Sequence, residues 1–74
     1  MGTYYIIVPK DDGYHYLSIN ERNEYEILAK SDTPIKTKLL FREHNAAEDY
    51  ILNNLDWSMY RIERVLLSAE YFGL

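Results

Sequence analysis

No cysteine occurs anywhere in the chain. That excludes disulfide staples, thiolate zinc sites, iron–sulfur clusters and cysteine nucleophiles. Glycine is scarce as well: Gly2, Gly13 and Gly73 stand far apart, so neither a Walker-type loop nor a dinucleotide fingerprint is present to cradle phosphates. No apolar run is long enough to cross a bilayer, since the one at residues 4–8 stops at Pro9-Lys10-Asp11-Asp12. The first residues show neither a basic start nor a small-residue cleavage site. Ile6 occupies the position where a myristoylation signal carries serine or threonine. These absences lead us to expect a cytoplasmic chain that makes no membrane contact. Clustered cations are missing too. Lys and Arg are interleaved with a larger number of Asp and Glu, giving a net charge of −4. This disfavours a nucleic-acid partner, whose affinity comes from cation clusters that release counterions, and favours a protein partner with a basic surface.

What is present is the composition of a folded domain, 47% hydrophobic and 27% charged. At 74 residues the chain has room for a single domain spanning 1–74. A domain of this size buries roughly 60% of its unfolded surface and has a total stability of roughly 4–11 kcal/mol. Eight tyrosines are the unusual feature, because tyrosine joins a large apolar body to a polar tip.

The hydrophobic pattern predicts an α+β fold with the order ββββαβ, an antiparallel sheet of four or five strands with one helix packed on one face. Residues 4–9 read as a strand apolar on both faces, with Tyr4, Ile6 and Val8 opposite Tyr5 and Ile7. Lys10-Asp11-Asp12-Gly13 has the chemistry of a hairpin turn with glycine at positive φ. In residues 14–19 the pleat separates Tyr14, Tyr16 and Ser18 from His15, Leu17 and Ile19. After a polar turn at residues 20–23, residues 24–30 alternate with Tyr25, Ile27 and Ala29 inward, completing a meander. Residues 35–41 fit a fourth strand, with Ile35, Thr37, Leu39 and Phe41 on one face, or an irregular approach to the helix. Asn45-Ala46-Ala47-Glu48 has the form of a capping box, and Ala47, Tyr50, Ile51 and Leu55 make an apolar stripe over residues 46–55. Residues 58–67 read as the last strand. The apolar end, with Tyr71 and Phe72, is expected to be tied down or to act as a contact element.

No constellation carries chemistry. His15 and His44 lack a third ligand at metal spacing, and Asp11-Asp12-Gly13 lacks the later oxygens of a calcium loop. Ser18, Ser31 and Ser58 stand in no nucleophile elbow. Pairs such as Glu24/Glu26 and Glu48/Asp49 fit solvated faces. The expectation is a non-enzymatic chain with no cofactor and no metal. If one helix shields one side of the sheet, then Tyr5, Tyr14 and Tyr16 lie on or beside the open side. There they serve as cross-strand pairs, as a partner surface, or as both.

Over its whole length, in size, acidity and meander-plus-helix pattern but in no specific motif, the chain resembles the small acidic inhibitor proteins of phages and mobile elements, including anti-CRISPR proteins. That resemblance implies an inhibitor of a host nucleic-acid-handling protein. On that reading the contact surface would comprise Tyr5, Tyr14, Tyr16, Asp11, Asp12, Glu24 and Glu26, whereas Tyr71 and Phe72, with the open sheet face, would serve a homodimer contact. The alternatives are a self-associating homodimer module, which would relieve a marginal core, and a sheet that stacks single-stranded nucleic acid on its rings.

Overall fold

The computed structural model describes residues 2–31, 35 and 37–67. Among them are four strands and one helix: β1 (Gly2–Pro9), β2 (His15–Ile19), β3 (Tyr25–Ala29), α1 (His44–Asn54) and β4 (Tyr60–Leu67). The class is α+β. The strands form two antiparallel pairs rather than one meander, with β1 hydrogen-bonded to β4 and β2 to β3. β1 and β4 pair along their full length, from Gly2 opposite Leu67 to Pro9 opposite Tyr60.

The expected β1–β2 hairpin does not form, for a visible local reason. The Asp12 carboxylate accepts the Tyr14 N–H at 2.6 Å and meets His15 Nδ1 at 2.7 Å. The Lys10 N–H is drawn to the Met59 carbonyl at 2.9 Å. The chain turns at residues 9–12, where the Asp12 N–H reaches the Pro9 carbonyl at 3.2 Å, and an Asx-type turn at Asp12–Tyr14 then extends the connection. Gly13 is not in the left-handed region. On the edge of β1 away from β4, Tyr5 exchanges two backbone hydrogen bonds with Phe41, at 2.7 and 2.9 Å.

Among the described residues of 35–41, that exchange is the only part of the expected strand seen, with Phe41 forming an isolated bridge. Thr37 explains the irregularity. Its hydroxyl donates to the Leu17 carbonyl at 3.1 Å and accepts the Leu39 N–H at 2.9 Å, so a side chain takes bonds that a ladder would need. Leu39 and Phe41 pack with Ile7 and Leu40 with Ile6 and Val8, as alternation gives, but Ile35, expected on the Leu39 face, packs with Ile6 and Val8 instead.

β1 is the centre of the molecule, as its two apolar faces predict: Ile6, Ile7 and Val8 are all fully buried. Ile7 joins Leu17, Leu39 and Ile51 in one cluster. Ile6 and Val8 join Tyr16 in a second, flanked by Leu28 and Val65. Each cluster lies on its own side of β1 because neighbouring side chains on a strand point to opposite faces.

β3 presents the opposite face to the one expected. Leu28 packs inward opposite Tyr16, while Tyr25 and Ile27 are about half exposed, at 46% and 49%. Ile27 faces Leu17 across the pair, but it lies one strand further out than Leu17, beyond the reach of the Ile7 cluster.

The turn between β2 and β3 forms where expected. Asn20 organises it, accepting the N–H groups of Arg22 and Glu24 at 2.9 and 3.0 Å through its side-chain oxygen. Asn23 has φ 61°, a conformation in which asparagine is enriched and β-branched residues are outliers. Asn23→Gly is expected to leave stability unchanged or slightly raised, and Asn23→Val to cost about 1–2 kcal/mol. Urea unfolding of the two variants checks this; equal midpoints would remove the left-handed assignment.

α1 begins at His44, two residues before the expected start. Glu43 occupies the cap position without a side-chain capping bond, so the Asn45 capping box does not form. Glu48 instead turns to His44, with Oε1 2.6 Å from Nδ1. The His44 ring also stacks edge-on against Tyr5, with centroids 5.6 Å apart, which anchors the added residues. The stripe itself is as expected: Ala47 and Ile51 are buried, and Tyr50 and Leu55 pack against the Ile7 cluster. No helix among the described residues is long and apolar enough to cross a membrane.

Candidate interaction surface

The residues singled out from the sequence do not gather into one surface. Tyr16 is 1% exposed and is among the largest fully buried side chains; it belongs to the core and not to an open face. The open face was inferred because one helix covers one side of a sheet. The cover on the other side comes from the irregular segment, where Ile35 and Leu40 pack against the cluster that holds Tyr16. Tyr5 is half-buried and engaged with His44.

Tyr14 is 80% exposed. Asp11 beside it is exposed, and Asp12 is committed to the turn. The Tyr14 N–H, more than the neighbouring His15, holds the Asp12 carboxyl below the ordinary carboxylate range. Glu24 and Glu26 are exposed on the β3 side, where the Asn20 amide donates to them at 3.4 and 3.1 Å. Tyr71 and Phe72 lie outside the described residues.

Tyr25, expected inward, reaches across to the helix and shares a hydrogen bond of 2.9 Å with the Tyr50 hydroxyl. Desolvation first, and the Tyr25 hydroxyl second, push the Tyr50 phenol from 10 up to about 12. A raised phenol means that the folded chain retains a proton the unfolded chain has released. Stability is therefore fully present below pH 10 and falls as pH rises from there through about 12. Tyr25→Phe is expected to lower the Tyr50 midpoint while leaving it above 10, because the desolvation remains. Ultraviolet titration of tyrosinate measures it, and an unchanged midpoint would show that the hydroxyl pair does not form.

A different surface stands out on the opposite flank of α1. A cleft of about 330 Å³ lies between the helix and the start of β4, and its apolar lining is Ile51, Leu52, Trp57, Tyr60 and Ile62. Its size is at the lower limit of ligand pockets, which run from about 300 to 1,000 Å³, enough for a large side chain. Ile51 forms a buried floor, whereas Leu52 and Trp57 are 64% and 65% exposed. Leu52 and Trp57 line one recess together instead of standing singly, and contiguity is what separates a contact patch from scattered exposed apolar residues.

The loop that presents Trp57 is held from within. The Asp56 carboxylate accepts the Ser58 hydroxyl at 2.7 Å and the Ser58 N–H at 3.0 Å. These bonds, the hydroxyl foremost, keep its carboxyl below the ordinary range. The backbone closes a turn from the Met59 N–H to the Asp56 carbonyl at 3.0 Å. Lys10 Nζ lies 5.9 Å from the centre of the Trp57 ring, within cation–π range. At the rim, Glu48 pairs with His44. Arg61 reaches Glu63 at 3.5 Å and the Asp12 carbonyl at 3.3 Å.

The sequence reading passed over Leu52 and Trp57, although both leave a trace. Leu52 is an apolar residue adjacent to the helix stripe but outside it, and Trp57 is a lone tryptophan between Asp56 and Ser58. Among the described residues no group of three or more His, Asp or Glu is placed to hold a metal ion. No protein-family model matches the chain, and no curated protein or solved structure matches it either.

Proposed function

We propose that the chain is a non-enzymatic protein-binding module whose partner presents a basic surface. The supporting observation is an uneven charge distribution. Residues 43–60, which build α1 and the Trp57 loop, contain Glu43, Glu48, Asp49 and Asp56 and no Lys or Arg. The remaining eight acids balance eight Lys and Arg, so this one segment accounts for the whole net charge. All four acids are exposed, and beside them lie Leu52 and Trp57. An acidic field steers a basic protein towards this flank and repels nucleic acid. Inhibition of a nucleic-acid-handling protein, the role implied by the anti-CRISPR-like resemblance, is one form of this reading, because such proteins carry the basic surfaces that a phosphate backbone requires.

The test is capture from nuclease-treated host extract, comparing the native chain with a Glu48→Lys, Asp49→Lys variant of unchanged circular dichroism. Recovery of a basic protein that is lost both in the variant and at high salt, then reconstituted from purified components, is the expected result. Equal recovery by both chains would defeat the proposal.

A further inference from the structure

We infer that the cleft between α1 and β4 docks one bulky apolar side chain, leucine or phenylalanine, of a partner segment in which Lys or Arg stands within a few residues of that anchor. This rests on the protein-binding reading and assigns it a site. The cleft supplies the apolar half of the match. Ile51 and Ile62 lie within it and Leu52 and Trp57 stand at its edges, so an inserted side chain exchanges water for aliphatic and aromatic walls.

The surroundings supply the polar half. Asp49 is exposed on the helix, Glu48 is on the rim, and Asp56 opens the Trp57 loop. The two cations nearest the cleft are already engaged: Lys10 sits over the indole, and Arg61 is turned to Glu63 and the Asp12 carbonyl. Glu48 is shared with His44 and Asp56 with Ser58, so it is the net acidity of segment 43–60, with Asp49 exposed on it, that meets cations brought by the partner. The same argument disfavours other occupants. A second copy would set segment 43–60 against its own four acids, and residues 68–74 carry Glu70 and no cation. Tryptophan is also the residue most enriched among the few that dominate binding energy at protein interfaces.

Trp57 is the only tryptophan, so its fluorescence reports on the cleft alone. The probes are acetylated, amidated peptides of sequence Gly-Lys-Arg-Gly-Phe-Gly-Arg-Lys-Gly, the same peptide with serine in place of phenylalanine, and the phenylalanine peptide with glutamate at every basic position. With the full chain, the first is expected to shift Trp57 emission to shorter wavelength saturably. The serine peptide should bind about tenfold more weakly, and the glutamate peptide should not bind. Leu52→Ser, at an exposed position and confirmed folded by circular dichroism, should lose about tenfold for the phenylalanine peptide and nothing for the serine peptide.

Equal binding of the phenylalanine and serine peptides, or no effect of Leu52→Ser, overturns the docking site and leaves the basic-partner reading standing. Failure of both basic peptides to bind at low salt overturns both. Two further outcomes overturn the assignment of the occupant. Emission that moves to shorter wavelength with protein concentration alone identifies a second copy. Emission that moves to longer wavelength in a chain ending at Leu67 identifies residues 68–74.

Discussion

Tyr16→Ala is expected to lower the unfolding free energy by about 3–5 kcal/mol, the range for removing a buried aromatic ring. Set against a total of roughly 4–11 kcal/mol for a chain of this length, the variant will be barely folded or unfolded at room temperature. The effect is large because of where the ring lies. It is 1% exposed and shares a cluster with Ile6 and Val8, both fully buried on the central strand, while Leu28, Ile35, Leu40 and Val65 close around it. Its loss leaves a cavity touching β1, β3, β4 and the irregular segment at once, and no single element can move in to fill it. Tyr16→Phe keeps the ring and should retain most of the stability. Tyr14→Ala, two residues away on a side chain 80% exposed, should change it by no more than about 0.5 kcal/mol. Urea midpoints of the three variants decide the matter: similar losses for Tyr14→Ala and Tyr16→Ala would refute the packing described for β2.

That pair of tyrosines also shows what the sequence could and could not convey. Alternation sets both on one face, but Tyr14 falls just before β2 and stays exposed while Tyr16 within it is buried; what alternation does not contain is where the strand begins and the cover above that face. The cover comes from residues 35 and 40, in a stretch whose own pattern suggested a strand; Leu40 lies opposite Leu39 and Phe41 as that pattern has it, whereas Ile35 takes the other face. Local signals were legible wherever local chemistry decides. The two apolar faces of residues 4–8, the polar turn at 20–23 and the Ala47, Tyr50, Ile51, Leu55 stripe all appear as read. The β2–β3 pairing was legible from the turn between them; the β1–β4 pairing was not, because that ladder joins Gly2 to Leu67 and nothing local to either strand names the other. The turn expected at 10–13 has its counterpart at residues 9–12, but β1 and β2 do not pair across it, since β1 pairs with β4 and β2 with β3. For the interaction surface, Asp11, Tyr14, Glu24 and Glu26 are exposed as expected, whereas Asp12 is half-buried in its turn. The cleft was not found, because it arises only when the exposed side of α1 is brought against the start of β4.

Two adjacent helix positions provide the second large contrast. Ile51→Ala is expected to cost about 2–5 kcal/mol and Leu52→Ala less than about 1 kcal/mol, although both delete the same atoms from neighbouring leucine-sized residues. An isolated helix of 11 residues is marginal in water, since nucleation is costly and few bonds follow it. α1 therefore depends on tertiary contacts, and its buried residues are Ala47 and Ile51. Ile51 meets Ile7, Leu17 and Leu39 in one cluster, so its truncation loosens the helix from both strand pairs together. Amide exchange over residues 44–54 should then become faster than exchange through global unfolding. Leu52 points to solvent at 64% exposure and contributes to the wall of the cleft instead of to the core. The difference matters for function: a binding defect in Ile51→Ala would report a lost helix, whereas one in a Leu52 variant with native stability and exchange reports a lost contact. Equal costs at the two positions would mean that α1 is turned about its axis relative to this description, and the cleft beside Trp57 would then lose its wall.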